Sequence, residues 1–239
     1  MERHSLDDLL LFVSVARYQS LTQASERQSL SGTIKISAPI NMTQMWLKRC
    51  VYEFAEQHPK ICIDLDVQNE KINLVSNRVD VSFRLGDLIE QDWIAQKLWS
   101  IPFALCASRS YLEQHQPITH PEQLIHHRLI TVNNDSQWKL VNQITNETFD
   151  HPLKFQFTSN DVLLVRDAVI HGLGIAWIPT YYFHELNHDQ HNLLPLLPEW
   201  QCAGKEVFIM YRDRDKRPAR VDAFIEHVFN WKNRIQMFT

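Results

Sequence analysis

The sequence predicts an α/β protein, and three features of the chain support this. A strand-like segment, Thr33–Ser37, is followed by an amphipathic helix and two more strand-like segments, Ile61–Leu65 and Val79–Leu85. This strand–helix–strand order is the repeating unit of a parallel sheet with right-handed crossovers. The same alternation recurs around Asp161–Ile178. A last helix, about Ala219–Lys232, has an apolar stripe that predicts burial of one face.

The first half of the chain is predicted as follows. The helix after the first strand carries five apolar residues at helical spacing, namely Trp46, Leu47, Cys50, Val51 and Phe54. It ends at His58-Pro59, because the residue before proline avoids the helical conformation. A short helix is predicted over Ile72–Asn77. Further strands are predicted at Trp93–Leu98 and Pro102–Ala107.

The second half repeats the pattern with clear helix-ending signals. Strands are predicted at Leu129–Val132, Phe155–Phe157, Ile175–Ile178 and Glu206–Tyr211. A helix is predicted over Asp161–His171, with Val162, Val165, Ala168 and Val169 on its inward side. Gly172 is expected to end that helix in a left-handed conformation, and Gly174 to allow close backbone approach.

Composition limits the classes of protein that this chain can represent. Its 239 residues suit one or two domains, and a net charge of −4 argues against a globally basic nucleic-acid binder. The apolar run Leu9–Ala16 is too short to cross a bilayer and lacks signal-peptide flanks, so a cytoplasmic location without membrane contact is predicted. The cysteines lack a C-x-x-C spacing and are predicted to be reduced core residues; they are Cys50, Cys62, Cys106 and Cys202.

Four segments in order carry a family resemblance. They are Gly32–Pro39 (GTIKISAP), Asp80–Gly86 (DVSFRLG), Ala107–Leu112 (ASRSYL) and His171–Pro179 (HGLGIAWIP). With these segments the chain resembles the effector domain of LysR-type transcriptional regulators over about 32–231.

The N-terminal segment resembles the winged helix-turn-helix head of the same family. Leu6–Phe12 matches the first helix of that head, and Ser20–Ser25 matches the entry to the second. The family's recognition helix, wing and linker helix are missing, because Gln28 runs almost directly into the effector domain. The resemblance therefore implies a truncated DNA reader that binds DNA weakly or only through a full-length partner.

The resemblance also implies an architecture and partners. The expected fold is a two-lobed effector domain like type II periplasmic binding proteins, preceded by a short helical remnant. Residues 1–30 are assigned to the remnant, 32–106 plus 207–235 to the first lobe, and 107–206 to the second. Crossover strands near Ala107 and Val207 would form the hinge. A small effector would bind in the crevice between the lobes, and the effector domain would form a homodimer.

Candidate effector-binding residues in the first lobe surround the end of the first strand. Ser37, Pro39, Ile40 and Asn41 occupy the turn into the following helix, whose first N–H groups and partial positive charge favour a carboxylate or another anion. Arg84, at the end of the third strand, points to the same edge and suits such an anion. The alternative is that Arg84 pairs with a neighbouring Asp.

The second lobe contributes four candidate residues. Asn133 and Asn134 follow one strand, and Asn160 and Asp161 begin a helix that is expected to face the same crevice. The alternative for Asn160 is a helix N-cap.

A zinc hydrolase and a solute-binding protein are the two alternative functions, and the sequence favours neither. His184, Glu185 and His188 match the zinc-protease motif H-E-x-x-H, but the helix is expected to end near Leu186 and a third ligand is missing. A solute-binding protein of the same fold would need export. No phosphate loop, nucleophile elbow or catalytic cysteine pattern is present. The sequence therefore predicts a non-enzyme without cofactor or metal.

Overall fold

The computed structural model describes residues 30–70, 73–86, 92–132, 138–150, 152–185, 193–202, 204–213 and 217–234. These residues form two compact units. Unit 1 contains 30–84, 92–96 and 209–234, and unit 2 contains 85–86 and 97–208. The predicted N-terminal remnant, residues 1–30, lies outside the described residues except for its last position.

The described residues form the following helices and strands in chain order. The first elements are β1 (Gly32–Ala38), α1 (Ile40–Met42), a π-helical segment (Thr43–Leu47), α2 (Lys48–Gln57), β2 (Ile61–Val67), β3 (Val81–Leu85), β4 (Ile94–Ile101) and β5 (Phe103–Ser108). Next come α3 (Arg109–Leu112), a 3₁₀ helix (Pro121–His126), β6 (Leu129–Val132), β7 (Leu140–Asn142), β8 (Thr148–Phe149) and β9 (Phe155–Ser159). The last are α4 (Val162–Ile170), β10 (Ile175–Pro179), α5 (Tyr181–Glu185), β11 (Leu193–Leu196), β12 (Trp200–Cys202), β13 (Lys205–Tyr211) and α6 (Ala219–Arg234).

The chain passes between the two units within strands. In β4 the change of unit falls after Gln96, and in β13 it falls after Phe208. The first position lies upstream of the hinge predicted near Ala107, and the second lies next to the one predicted near Val207. The predicted lobe boundaries therefore stay a prediction.

The first sheet has the strand order β2-β1-β3-β13-β4. β1 pairs in parallel with both β2 and β3, as the strand–helix–strand pattern predicts. The predicted apolar stripe of the first helix is buried, and Trp46 lies between the rings of Phe83 and Trp231, with centroids 5.6 and 5.7 Å away. This aromatic contact fixes α2 and α6 on one face of the sheet.

The second sheet, in unit 2, has the order β11-β5-β10-β6-β9. β6 pairs in parallel with β9 and β10, whereas β5 runs antiparallel to β10. A three-stranded sheet, β12-β7-β8, completes the unit. The inward side of α4, including Val165, Ala168 and Val169, is buried as predicted.

Two sequence predictions are wrong. Leu74–Arg78 forms turns, not the predicted helix: Asn73 caps the N–H groups of Val75 and Ser76 as at a helix start, but Arg78, with φ +53°, ends the segment after one turn. Cys62 is exposed on the edge strand β2, whereas Cys50 and Cys106 are buried; all three thiols are free. The side chain of Cys202 lies outside the described part of the chain.

Both glycine predictions are confirmed. Gly172 has φ +73° at the end of α4. Gly174 has φ +155°, and a Cβ atom there would lie 2.3 Å from the carbonyl oxygen of Arg128. Position 174 therefore requires glycine for two reasons: its φ is positive, and a Cβ atom would collide with the Arg128 carbonyl oxygen.

Acid is expected to destabilise the protein through His227. Burial lowers the pKa of His227, whose Nε2 lies 3.0 Å from the carbonyl oxygen of Cys50 and whose ring packs on Phe54. The unfolded chain then binds more protons than the native one below about pH 6.5, so the free energy of unfolding falls as the pH drops through that value. The free energy of unfolding stops falling from this cause once the pH is below the pKa of His227 in the native protein. Urea unfolding at pH 7.5, 6.5 and 5.5 measures this loss.

The variant His227→Gln should lose less stability over the same pH range, because it removes the titrating ring. Part of the loss should remain, since burial also lowers the pKa of His127 in unit 2. Ser31→Ala, at an exposed residue of unit 1 that does not titrate in this range, is the control and should keep the wild-type pH dependence. An unchanged pH dependence in His227→Gln would contradict this assignment.

Candidate functional site

A buried polar cluster lies at the carboxyl ends of β1 and β3 in unit 1. Ser37 and Ser82 are in register on these adjacent strands, and both are fully buried. Arg84, two residues further along β3, is 8% exposed. Its Nη1 donates a hydrogen bond to the carbonyl oxygen of Phe83 at 3.0 Å and a longer one to Ser37 Oγ at 3.4 Å. The structure thus brings together two of the predicted residues, Ser37 and Arg84.

The turn between β1 and α1 differs from the prediction in one respect. The N–H of Ile40 was expected to be available to an anion, but it donates to Asn69 Oδ1 at 3.1 Å. The turn is further fixed by Thr43, whose N–H and hydroxyl both donate to the carbonyl oxygen of Pro39, each at 3.0 Å. Pro39, Ile40 and Asn41 are half-buried. If these three residues bind a ligand, the Ile40 N–H takes no part, because it already donates to Asn69.

The helix that follows this turn has an unusual start. Its N-terminal piece α1 passes through the π-helical segment before regular α-helix resumes at Lys48, whose N–H reaches the carbonyl oxygen of Thr43. Single π turns of this kind occur often at functional sites. The segment lies directly beside the predicted effector-binding turn.

The second group of predicted residues follows the carboxyl ends of β6 and β9 in unit 2. Asn133 and Asn134 lie outside the described residues. Asn160 is exposed, and Asp161 is the N-cap of α4, accepting a hydrogen bond from the N–H of Leu163 at 2.8 Å. The alternative that Asn160 caps this helix is therefore wrong, because its neighbour does so.

A separate cavity of about 450 Å³ lies within unit 2. Its walls include Ile101, Phe103, Leu196 and Trp200, with Thr180 as a polar member. None of the seven predicted effector-binding residues that the structure describes lines it. The polar cluster in unit 1 and this mainly apolar cavity are therefore distinct features.

Sequence reasoning missed two residues of the unit 1 cluster. Ser82 was detectable, since strand alternation places it on the same face as Arg84. Asn69 gave no local signal, because it lies 29 residues from the N–H that it caps. Only the parallel pairing of β1 with β2 brings its side chain to this turn.

A cluster of metal ligands or a membrane-spanning helix would indicate a different function. Within the part of the chain that the structure describes, no three His, Cys, Asp or Glu side chains are grouped so as to hold a metal ion. In the H-E-x-x-H segment, α5 ends at Glu185, and His188 lies outside the described residues. No helix among the described residues is long and apolar enough to cross a membrane.

Comparison with known proteins identifies the relatives of this chain. The family model described as the LysR substrate binding domain matches residues 27–232. The HTH-type transcriptional activator AaeR of Escherichia coli is 25% identical over 203 residues, which cover 84% of this chain and 65% of that protein. The chain thus spans about two thirds of this relative's length.

Solved structures show the same relationship. The regulatory domain of AphB from Vibrio vulnificus is 31% identical, with a TM-score of 0.71, covering 84% of this chain and 100% of that one. The full-length virulence activator AphB of Vibrio cholerae, a member of the LTTR family, is 29% identical with a TM-score of 0.74, covering 92% of this chain and 75% of that one. The predicted fold class, α/β of the periplasmic-binding-protein-like effector-domain type, is thereby confirmed. The chain belongs to the LysR family of transcriptional regulators and carries that family's substrate-binding domain.

Proposed function

We propose that this regulator senses a small carboxylate, whose anionic group binds at Arg84 and Ser37 in unit 1. The observation that supports the proposal most directly is the buried guanidinium of Arg84 at the carboxyl end of β3. In open α/β sheets, ligands bind beyond the carboxyl ends of strands. A buried cation attracts an anion far more strongly than an exposed one, because water screens it less.

The start of α1 adds to this attraction. The helical run that begins at Ile40 continues through Gln57, so its positive end lies beside the Ser37–Pro39 turn. The hydroxyl of Ser37 supplies a neutral hydrogen-bond donor next to Arg84. We also propose Asn133, Asn134, Asn160 and Asp161 as effector-binding residues, as the sequence predicts.

Replacing Arg84 tests the proposal. We expect at least one of acetate, benzoate and salicylate to raise the melting temperature of the wild-type protein, while the matching amides do not. Arg84→Met should weaken the binding of that acid by about 10- to 100-fold, since a hydrogen bond to a charged group contributes about 1.5–3 kcal/mol. Calorimetric titration measures the change in affinity.

The matched control is Arg49→Met. Arg49 is an exposed arginine of α2 in the same unit, and its replacement should leave the affinity unchanged. The proposal fails if none of the acids binds, or if Arg84→Met binds the acid as tightly as the wild type does.

Further parts of the function stay proposals. We infer a homodimer, supported by the edge strands β2 and β9 and by exposed apolar side chains on or near them, such as Tyr52, Phe157 and Leu164. We also infer a cytoplasmic regulator without catalytic activity. Weak DNA binding without a full-length partner is inferred because Ser20–Ser25, which resembles the entry to the second helix of the family's DNA-binding head, is followed at once by the segment that the family model matches, residues 27–232.

A further inference from the structure

Ser82 is a buried side chain whose hydrogen-bonding capacity is unused. It is 0% exposed, and its Oγ has no hydrogen-bond partner among the described residues. A buried hydroxyl without a partner loses its hydration and gains nothing in exchange. Such groups are rare in native proteins. Because this hydroxyl lies beside a proposed anion site, we expect an atom of the ligand to supply the missing hydrogen bond.

The sheet places Ser82 directly beside the two residues already proposed to bind the effector. Ser37 and Ser82 are paired in register on parallel strands, so their side chains leave the sheet on the same face, about 5 Å apart. Alternation along β3 puts Arg84 on that face as well. Phe83 points to the opposite face, where it packs on Trp46. Two hydroxyls and one guanidinium therefore form one polar face.

We propose that Ser82 is a third effector-binding residue, which donates a hydrogen bond to the second oxygen of the carboxylate that Arg84 and Ser37 bind. This inference rests on the proposed function. The contact between Arg84 Nη1 and Ser37 Oγ, at 3.4 Å, is at the long end for a hydrogen bond, so an incoming oxygen replaces it at little cost. Both carboxylate oxygens are then bound by donors.

The charge of this polar face also selects the kind of anion. Arg84 supplies one positive charge, and the two serines supply none. A carboxylate, with one negative charge, is neutralised there, whereas a phosphate dianion would bury a second charge without compensation. The structure therefore points to a monocarboxylate headgroup as the class that this site accepts.

Acetate is the probe, because it consists of little more than the headgroup. Ser82→Ala should be as stable as the wild type without acetate, since the substitution removes a hydroxyl that has no partner. It should bind acetate about 10-fold more weakly, as measured by NMR titration and by the shift in melting temperature. Inorganic phosphate at the same ionic strength, titrated above its second pKa so that the dianion prevails, should produce no saturable shift. Ser31→Ala, at an exposed serine of unit 1, should behave as the wild type does.

The outcomes separate this inference from the proposed function. If acetate binds the wild type and Ser82→Ala equally well while Arg84→Met loses binding, the proposed function stands and the role of Ser82 is wrong. Saturable phosphate binding would overturn the selection for a monocarboxylate. If Ser82→Ala is markedly less stable without acetate, Ser82 has a structural role and the inference also fails. If acetate does not bind the wild type but benzoate or salicylate does, the inference about the headgroup fails and the proposed function stands; if none of the three acids binds, both fail.

Discussion

Gly174→Ala should unfold unit 2 or lower its free energy of unfolding by about 3–5 kcal/mol. The added Cβ would lie 2.3 Å from the Arg128 carbonyl oxygen and 2.9 Å from its carbon. That carbonyl cannot move freely, because it accepts a hydrogen bond from the N–H of Ile175 at 2.8 Å. The N–H of Arg128 is in turn bound to the hydroxyl of Tyr111 at 3.0 Å. Urea unfolding followed by near-ultraviolet circular dichroism measures the loss.

Gly86→Ala is the matched control for this substitution. Gly86 also has a positive φ, +80°, but no atom of the described residues lies within 4 Å of the position that a Cβ would occupy. Its replacement should therefore cost only the backbone strain, about 1 kcal/mol. A loss in Gly174→Ala no larger than that of the control would show that the contact with Arg128 relaxes easily, contrary to this prediction.

Trp46→Ala should destabilise unit 1 by about 3–5 kcal/mol. The indole is 1% exposed and packs between Phe83 of β3 and Trp231 of α6. Its removal leaves a cavity that the surrounding sheet and helices fill only in part. Since Phe83 immediately precedes Arg84, the loosened packing should also weaken acetate binding. Thermal unfolding and the acetate titration measure the two effects.

Tyr52→Ala provides the control within α2. Tyr52 is 61% exposed, so its replacement should change the free energy of unfolding of the monomer by no more than about 0.5 kcal/mol. A cost below about 1 kcal/mol for Trp46→Ala would mean that the aromatic contact between α6 and the sheet contributes little to stability.

The sequence anticipated the elements whose signals are local. The apolar stripes that contain Trp46 and Val165 are buried as predicted, Gly172 has the predicted left-handed conformation, and Gly174 makes the predicted close backbone approach. These predictions succeeded because helical spacing and the steric freedom of glycine act over a few residues. The predicted helix at 72–77 failed for an equally local reason, since Arg78 adopts a left-handed conformation, φ +53°, that ends the segment after a single turn.

The candidate site was predictable in part. Ser37 and Arg84 were chosen because both lie at strand ends, and the structure joins them by a hydrogen bond. Asn69 was not predictable, because its contact with Ile40 links positions 29 residues apart. The exposed position of Cys62 was not predictable either, since an apolar neighbourhood in sequence does not tell whether a strand lies at the edge of a sheet.

By itself, the sequence determined the order of strands and helices and the face of each element that turns inward, because these follow from side-chain spacing along a single segment. The tertiary structure alone decided which strands are neighbours. The pairing of β1 with β3 sets Ser82 beside Ser37, and the pairing of β1 with β2 carries Asn69 to the N–H of Ile40. Strand pairing depends on the free energy of the whole packed sheet, which no local segment encodes.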